Sequence, residues 1–220
     1  MKNKILTAVF GVAVALLIIS ASIALPIYFR PFYYMQIDTL EIEEYSGFDR
    51  ETIKEAYDEM ITYCTVPFVE FGTGDLKWSE EGEGHFADCK VLFLLDGAVL
   101  FISLGAVIAL AILAKRGVFK LSRPFGFDVT FISAVSVLGF FTLVGALASI
   151  NFERAFTVFH KIMFPGKTNW LFHPKRDEII LILPMEFFMN CAILIVSAII
   201  ISCVTLIVLG IINKRKRTKM

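Results

Sequence analysis

Residues 84–114 read GHFADCKVLFLLDGAVLFISLGAVIALAILA, and the second half of that stretch decides the class of the molecule. From 91 to 114 the only charged residue is Asp96. At 1.5 Å per residue, a helix of that length runs about 36 Å, enough to cross the roughly 30 Å of hydrocarbon in a bilayer. Three further segments, 5–29, 127–150 and 179–212, are comparably apolar. The last is longer than one crossing needs, so it should tilt or project from the membrane at its start. The whole chain agrees: 57% of its 220 residues are hydrophobic, 22 of them are phenylalanine, and mean hydropathy is +0.72. That composition excludes an ordinary soluble domain.

The first segment follows Lys2 and Lys4 and contains small residues at 22–24, as a cleavable signal peptide would. Its apolar run exceeds the usual signal core, so it reads as a retained anchor. Lysine and arginine then set the orientation. Lys2 and Lys4, the loop KRGVFKLSR at 115–123 and the tail KRKRTK at 214–219 should all face the cytoplasm. The formal net charge of +0 hides this asymmetry, because residues 30–90 hold 15 of the 21 acids and five of the 21 basic residues.

The expected fold is therefore an all-α polytopic membrane protein of four transmembrane helices, both termini cytoplasmic, with a small α+β extracytoplasmic cap. The expected segments are a first helix (1–29), the cap (30–90), a second helix (91–114), a basic cytoplasmic loop (115–126) and a third helix (127–150). A second extracytoplasmic segment (151–178), a fourth helix (179–212) and a basic cytoplasmic tail (213–220) complete the chain.

Within the cap, YYMQIDTLEIEEY places Ile37, Leu40 and Ile42 among polar residues, which predicts a short strand. FDRETIKEAYDEMITYC predicts a helix. Asp49 is its cap, Phe48 and Ile53 occupy hydrophobic-staple positions, and Ile53, Ala56, Tyr57, Met60, Ile61 and Cys64 form one apolar stripe. A unit of this size buries too little surface to stand alone, so it should pack on the membrane helices or on the second outer segment. The four cysteines include no CxxC pair, which counts against a thiol oxidase. Cys64 and Cys89 are expected as small buried residues, with a disulfide between them as the alternative.

The three histidines, His85, His160 and His173, all fall on the expected outer side near helix ends. Interfacial packing of an amphipathic ring is the competing explanation for each. If the second helix begins before residue 91, His85, Asp88 and Cys89 share a face, and Asp88 is placed to accept the imidazole N–H and orient a general base. Asp88 otherwise simply complements the helix dipole, whereas Lys90 is misplaced for that purpose. His160 lies among Phe152, Phe156, Met163 and Phe164 at helical spacings, so its ring should stay neutral or find a partner. His173 precedes Pro174, with Asp177 and Glu178 expected in the first turn of the fourth helix.

Two blocks resemble a known family. HFADCK (85–90) resembles an H-x-x-D-V-K element, and FTVFHKIMFPGKTNWLFHPKRDEIILILPMEFF (156–188) resembles an F-H…W…P…D…LLP…FF element, of the lipoprotein intramolecular transacylases, bacterial four-helix membrane proteins. Cys89 stands where that pattern has valine. The resemblance covers most of the chain and implies transfer of the sn-2 acyl chain of a diacylglyceryl cysteine to the α-amino group of the same N-terminal cysteine. It implies catalytic roles for His85 and His160. Asp88, Lys90, Trp170, Pro174, Asp177, Pro184, Phe187 and Phe188 match the pattern too. Asp88, Lys90, Trp170, His173 and Asp177 are the expected orienting or substrate-binding residues.

The chemistry fits the residues. An α-amino group with a pKa near 7.7–8.0 must lose a proton to attack an ester, and two histidines supply a base and an acid. Asn169, Trp170, Lys90 and backbone amides are the candidate oxyanion donors. The expected partners are the lipidated N-terminal cysteine of bacterial lipoproteins and membrane lipid, with no nucleic acid, and no cofactor is expected. Two alternatives use the same histidines: a metal-binding membrane protein with His85, Cys89, His160 and His173 as ligands, and a non-catalytic accessory or pH sensor.

Overall fold

The computed structural model describes residues 2–219, so the expected ends of the first and last segments, Met1 and Met220, lie outside the described residues. Among the described residues nine α-helices follow one another: α1 (Lys2–Tyr28), α2 (Pro31–Thr39), α3 (Ile42–Ser46), α4 (Arg50–Thr65), α5 (Glu80–Lys115), α6 (Val129–Ile150), α7 (Phe152–Met163), α8 (Ile179–Ile182) and α9 (Met185–Thr218). Four of them, α1, α5, α6 and α9, are long and apolar enough to cross a membrane. The chain divides into two compact units, one of residues 1–23, 97–146 and 195–220 and the other of 24–96 and 147–194.

The first unit is an apolar bundle with a core of Phe10, Val14, Ile18, Val129, Ala134, Val137, Ile199 and Cys203. Small residues allow its helices to approach: a Cβ at Gly11 would meet the Val129 side chain at 2.8 Å. Ser133 Oγ donates to the Gly11 carbonyl at 2.8 Å, the sort of interhelical bond that serves where no water competes. Asp128 gathers Arg217 (3.0 Å) and Arg123 (3.2 Å), which ties the basic tail to the start of α6.

The second unit corrects the α+β cap. Among the described residues there is no strand, only an isolated bridge between Thr73 and Asp75. The stretch expected as a strand is α2 and α3, broken at Glu41, whose φ of 50° turns the chain. The buried residues of α2 are Tyr33, Gln36 and Ile37, a helical spacing. Ile37 to Leu40 is likewise a helical step, and a lone strand here would leave its backbone groups unpaired, whereas a helix bonds its own. The helix expected next forms as α4: Thr52 N donates to Asp49 at 2.9 Å, and Ile53, Ala56, Tyr57, Met60, Ile61 and Cys64 are all buried.

Helix α5 begins at Glu80, well ahead of residue 91, so the HFADCK block is helical throughout. The expected helix over 179–212 is instead two pieces, because Pro184 has no N–H to continue α8. The break leaves the Ile182 carbonyl in need of a donor, and Tyr33 supplies it through its buried hydroxyl at 2.8 Å. Tyr33 stacks on Tyr57 at 3.7 Å between ring centroids, and Phe187 packs edge-on against Tyr33 at 5.3 Å. These rings join α2, α4 and the start of α9 into one core. Tyr33→Phe should keep the packing but orphan a buried carbonyl, costing about 1–3 kcal/mol, read as a lower thermal midpoint of the purified protein.

Candidate active site

His85 is carried by α5 and His160 by α7, and the fold brings them together with ring centroids 5.8 Å apart and planes inclined by 34°. Both are buried, 5% and 7% exposed. Their surroundings are aromatic. Phe164 and Phe172 lie 4.9 and 5.5 Å from His85, while Phe156 and Trp170 lie 4.1 and 4.8 Å from His160.

The two imidazoles differ in their hydrogen bonds. His160 Nδ1 is 2.8 Å from the carbonyl of Phe156. A carbonyl only accepts, so Nδ1 carries the proton and, in the neutral ring, Nε2 presents a lone pair. Burial lowers the pKa of His160 below the ordinary histidine value, and the Phe156 carbonyl opposes that in part. His85 Nε2 is 3.5 Å from Cys89 Sγ, while its Nδ1 is buried with no hydrogen-bond partner.

Asp88 does not orient His85 by a direct bond, although the shared helical face allowed it. Its carboxylate pairs with Lys167 and accepts from Asn169 Nδ2 at 3.2 Å, pinning the segment after α7 onto α5. Trp170 joins this clasp by donating its Nε1–H to the Lys167 carbonyl at 3.1 Å. Lys90 turns to the cap: its ammonium donates to the Val69 carbonyl at 3.2 Å and sits 4.1 Å from the centre of the Tyr63 ring. His173 is exposed and accepts from Lys175 N at 3.2 Å.

Asp177 also departs from expectation. It precedes α8 in sequence, yet it serves the start of α5, where it is buried and accepts from Ser79 N at 2.9 Å and Ser79 Oγ at 2.7 Å. Ser79 Oγ accepts in turn from Gly82 N at 3.1 Å, as an N-cap does. Glu178 extends the junction, accepting from Lys77 Nζ at 2.7 Å and Lys77 N at 2.9 Å, and Lys77 holds its carboxyl below the usual range. A side chain at Gly82 would collide with Asp177 and come within 3.3 Å of Phe172, so glycine is what lets this segment cross the helix.

All four cysteines are free; Cys64 is buried, and its thiol lies 3.8 Å from the Phe86 carbonyl. Among the described residues no three His, Cys, Asp or Glu side chains form a group able to hold a metal, so the four-ligand set considered from sequence does not assemble. Lys167, Phe172 and Ser79 were not legible as site residues, because each acts through contacts across the chain.

The sequence profile described as "Lipoprotein intramolecular transacylase Lit" matches residues 8–188. The chain belongs to this family. The Lit family name denotes a transacylase acting on lipoproteins. In meso structures of the membrane integral Lit from Bacillus cereus share the fold. One is 27% identical, covers 98% of this chain and 97% of that one, and superposes with a TM-score of 0.84. A second, with an H85R mutation in that protein's own numbering, is 26% identical with a TM-score of 0.77 over 98% of this chain and 94% of that one. No curated protein matches. As a Lit family member with four long apolar helices, the chain is a multi-pass membrane protein.

Removal of the buried carboxylate separates scaffold from surface. Asp177→Ala should lose about 1.5–3 kcal/mol from its charge-assisted bonds, whereas His173→Ala should stay within about 0.5 kcal/mol of the parent. Thermal unfolding of the two variants checks both.

Proposed function

We propose that His85 and His160 are the catalytic acid and base of an intramolecular O-to-N acyl transfer on a diacylglyceryl-modified N-terminal cysteine. The observation that carries this reading is the approach of two buried imidazoles to 5.8 Å inside an aromatic wall. His160 Nε2 takes a proton from the α-amine as its nitrogen attacks the sn-2 ester carbonyl. The imidazolium so formed keeps its Nδ1–H on the Phe156 carbonyl, which stabilises the charge. The tetrahedral intermediate then expels the glyceryl oxygen, and the proton held by the His160 imidazolium passes through the adjacent His85 to that oxygen, so both imidazoles end neutral. The C–N bond replaces the C–O bond, no net proton is consumed, and no oxidation state changes, so the reaction asks for no redox partner. The product is an N-acylated, S-monoacylglyceryl lipoprotein.

Amine and ester sit in one substrate molecule, so much of the entropy of bringing them together is already met. The aromatic enclosure favours that outcome further, because water admitted to the ester would hydrolyse it. Positive residues at 2–4, 115–123 and 214–219 support a cytoplasmic location for both termini, with residues 30–90 and 151–178 and the histidine pair on the extracytoplasmic side. Asp88 and Asp177 act here as positioning residues for the segment that walls the pair.

The deciding experiment is mass spectrometry of lipoprotein N-termini in a host without the lyso form. The parent should produce it, and His85→Ala or His160→Ala should slow its formation about 10²–10⁴-fold. Undiminished product from either variant removes that histidine from the chemistry. The pH dependence has a definite sign. Protonation of His160 Nε2 abolishes the acceptor, so turnover at saturating substrate should fall as pH drops through the folded value of His160, below the ordinary 6.5.

A further inference from the structure

Helix α7 has three sides. At about 100° per residue, Phe156 and His160 lie on the side packed against the protein, where Phe156 meets Phe188 at 5.0 Å. Glu153, Arg154 and Lys161 lie on a second, exposed side. The third side is apolar yet uncovered: Val158, Phe159, Ile162 and Met163 are 47%, 52%, 70% and 38% exposed. Single exposed apolar residues are ordinary, but four contiguous ones on one helix mark a contact surface.

The chain itself indicates what covers that side. Helix α6, one of the four long apolar helices, ends at Ile150 with Leu147 and Ile150 exposed on its last turn. A single residue separates it from α7. That residue, Asn151, caps α7 by accepting from Arg154 N at 2.8 Å, so the new helix starts where the apolar surface of α6 ends. An exposed apolar face on a helix that follows a membrane-spanning one after a single residue, bordered along one edge by Arg154 and Lys161, is the composition of a helix lying in the bilayer interface.

We infer that α7 is an interfacial helix: Val158, Phe159, Ile162 and Met163 are immersed in the acyl-chain boundary, and Arg154 and Lys161 reach the headgroups. A second copy of the chain would cover the same residues, but it would not account for the direct continuation from α6. The consequence for the proposed reaction, on which the immersion itself does not depend, is depth. His160 sits beside the immersed face of the same short helix, level with the ester groups of a membrane-anchored lipid.

The test is fluorescence quenching of the full-length protein in phosphatidylcholine–phosphatidylglycerol vesicles brominated near the carbonyl end of the acyl chains. Tryptophan is placed singly as Phe159→Trp, Ile162→Trp and Lys161→Trp, and the parent's Trp78 and Trp170 supply the baseline. With the apolar face about 5–10 Å inside the boundary, the added emission at 159 and 162 should be roughly halved or more, and that at 161 quenched much less. Equal quenching at all three positions overturns the inference. So does unquenched, blue-shifted emission at 159 and 162 that changes on dilution, the signature of a second copy. Either of the two immersed positions suffices should one variant fail to fold. Depth is read without turnover, so failure here leaves the histidine assignment standing, and the reverse also holds.

Discussion

A carboxylate taken out of water must be met by donors, and Asp177 meets that demand on a helix remote from it in sequence. Its bonds to Ser79 fasten the segment before α8 to the first turn of α5. Gly82 leaves room for the crossing. Asp88, two turns further along α5, takes Lys167 and Asn169 from the same returning segment. Between these two attachments the chain carries Trp170 and Phe172, two of the rings that enclose His85 and His160. The aromatic wall therefore depends on two acids that touch neither imidazole by hydrogen bond.

Within that wall the two rings are chemically unlike. His160 has its tautomer set by a carbonyl of its own helix, one turn back, so a helical backbone orients it without help from another acid. His85 has a sulfur at one nitrogen and nothing at the other. A buried unpartnered nitrogen is costly in isolation, so this atom is a place in the aromatic wall where the packing leaves a polar group unmatched. The helix that holds His160 also carries an exposed apolar face on its other side.

Long apolar runs declared the four membrane helices, because hydrocarbon tolerates only backbone that bonds to itself. Capping chemistry is equally local, and the Asp49 cap and the α4 stripe read correctly for that reason. The error in the cap came from treating Ile37, Leu40 and Ile42 as an alternation when two of the three are a helical step apart and a left-handed Glu41 interrupts them. Pro184 was visible in the sequence, but that it would split α8 from α9 depended on Tyr33 being available to satisfy the freed carbonyl.

What the sequence by itself determined was the membrane class, the four apolar runs long enough to cross a bilayer, and the two histidine blocks whose pattern points to the transacylase family. The tertiary structure alone decided which acid serves which helix: Asp88 turned to Lys167 instead of His85, and Asp177 to Ser79 instead of α8. It also decided that His85 and His160 meet. The physical reason is one of range. Hydrophobic periodicity and capping act within a few residues, while the partner of a buried charge is whichever donor the packed chain presents, at any separation along the sequence.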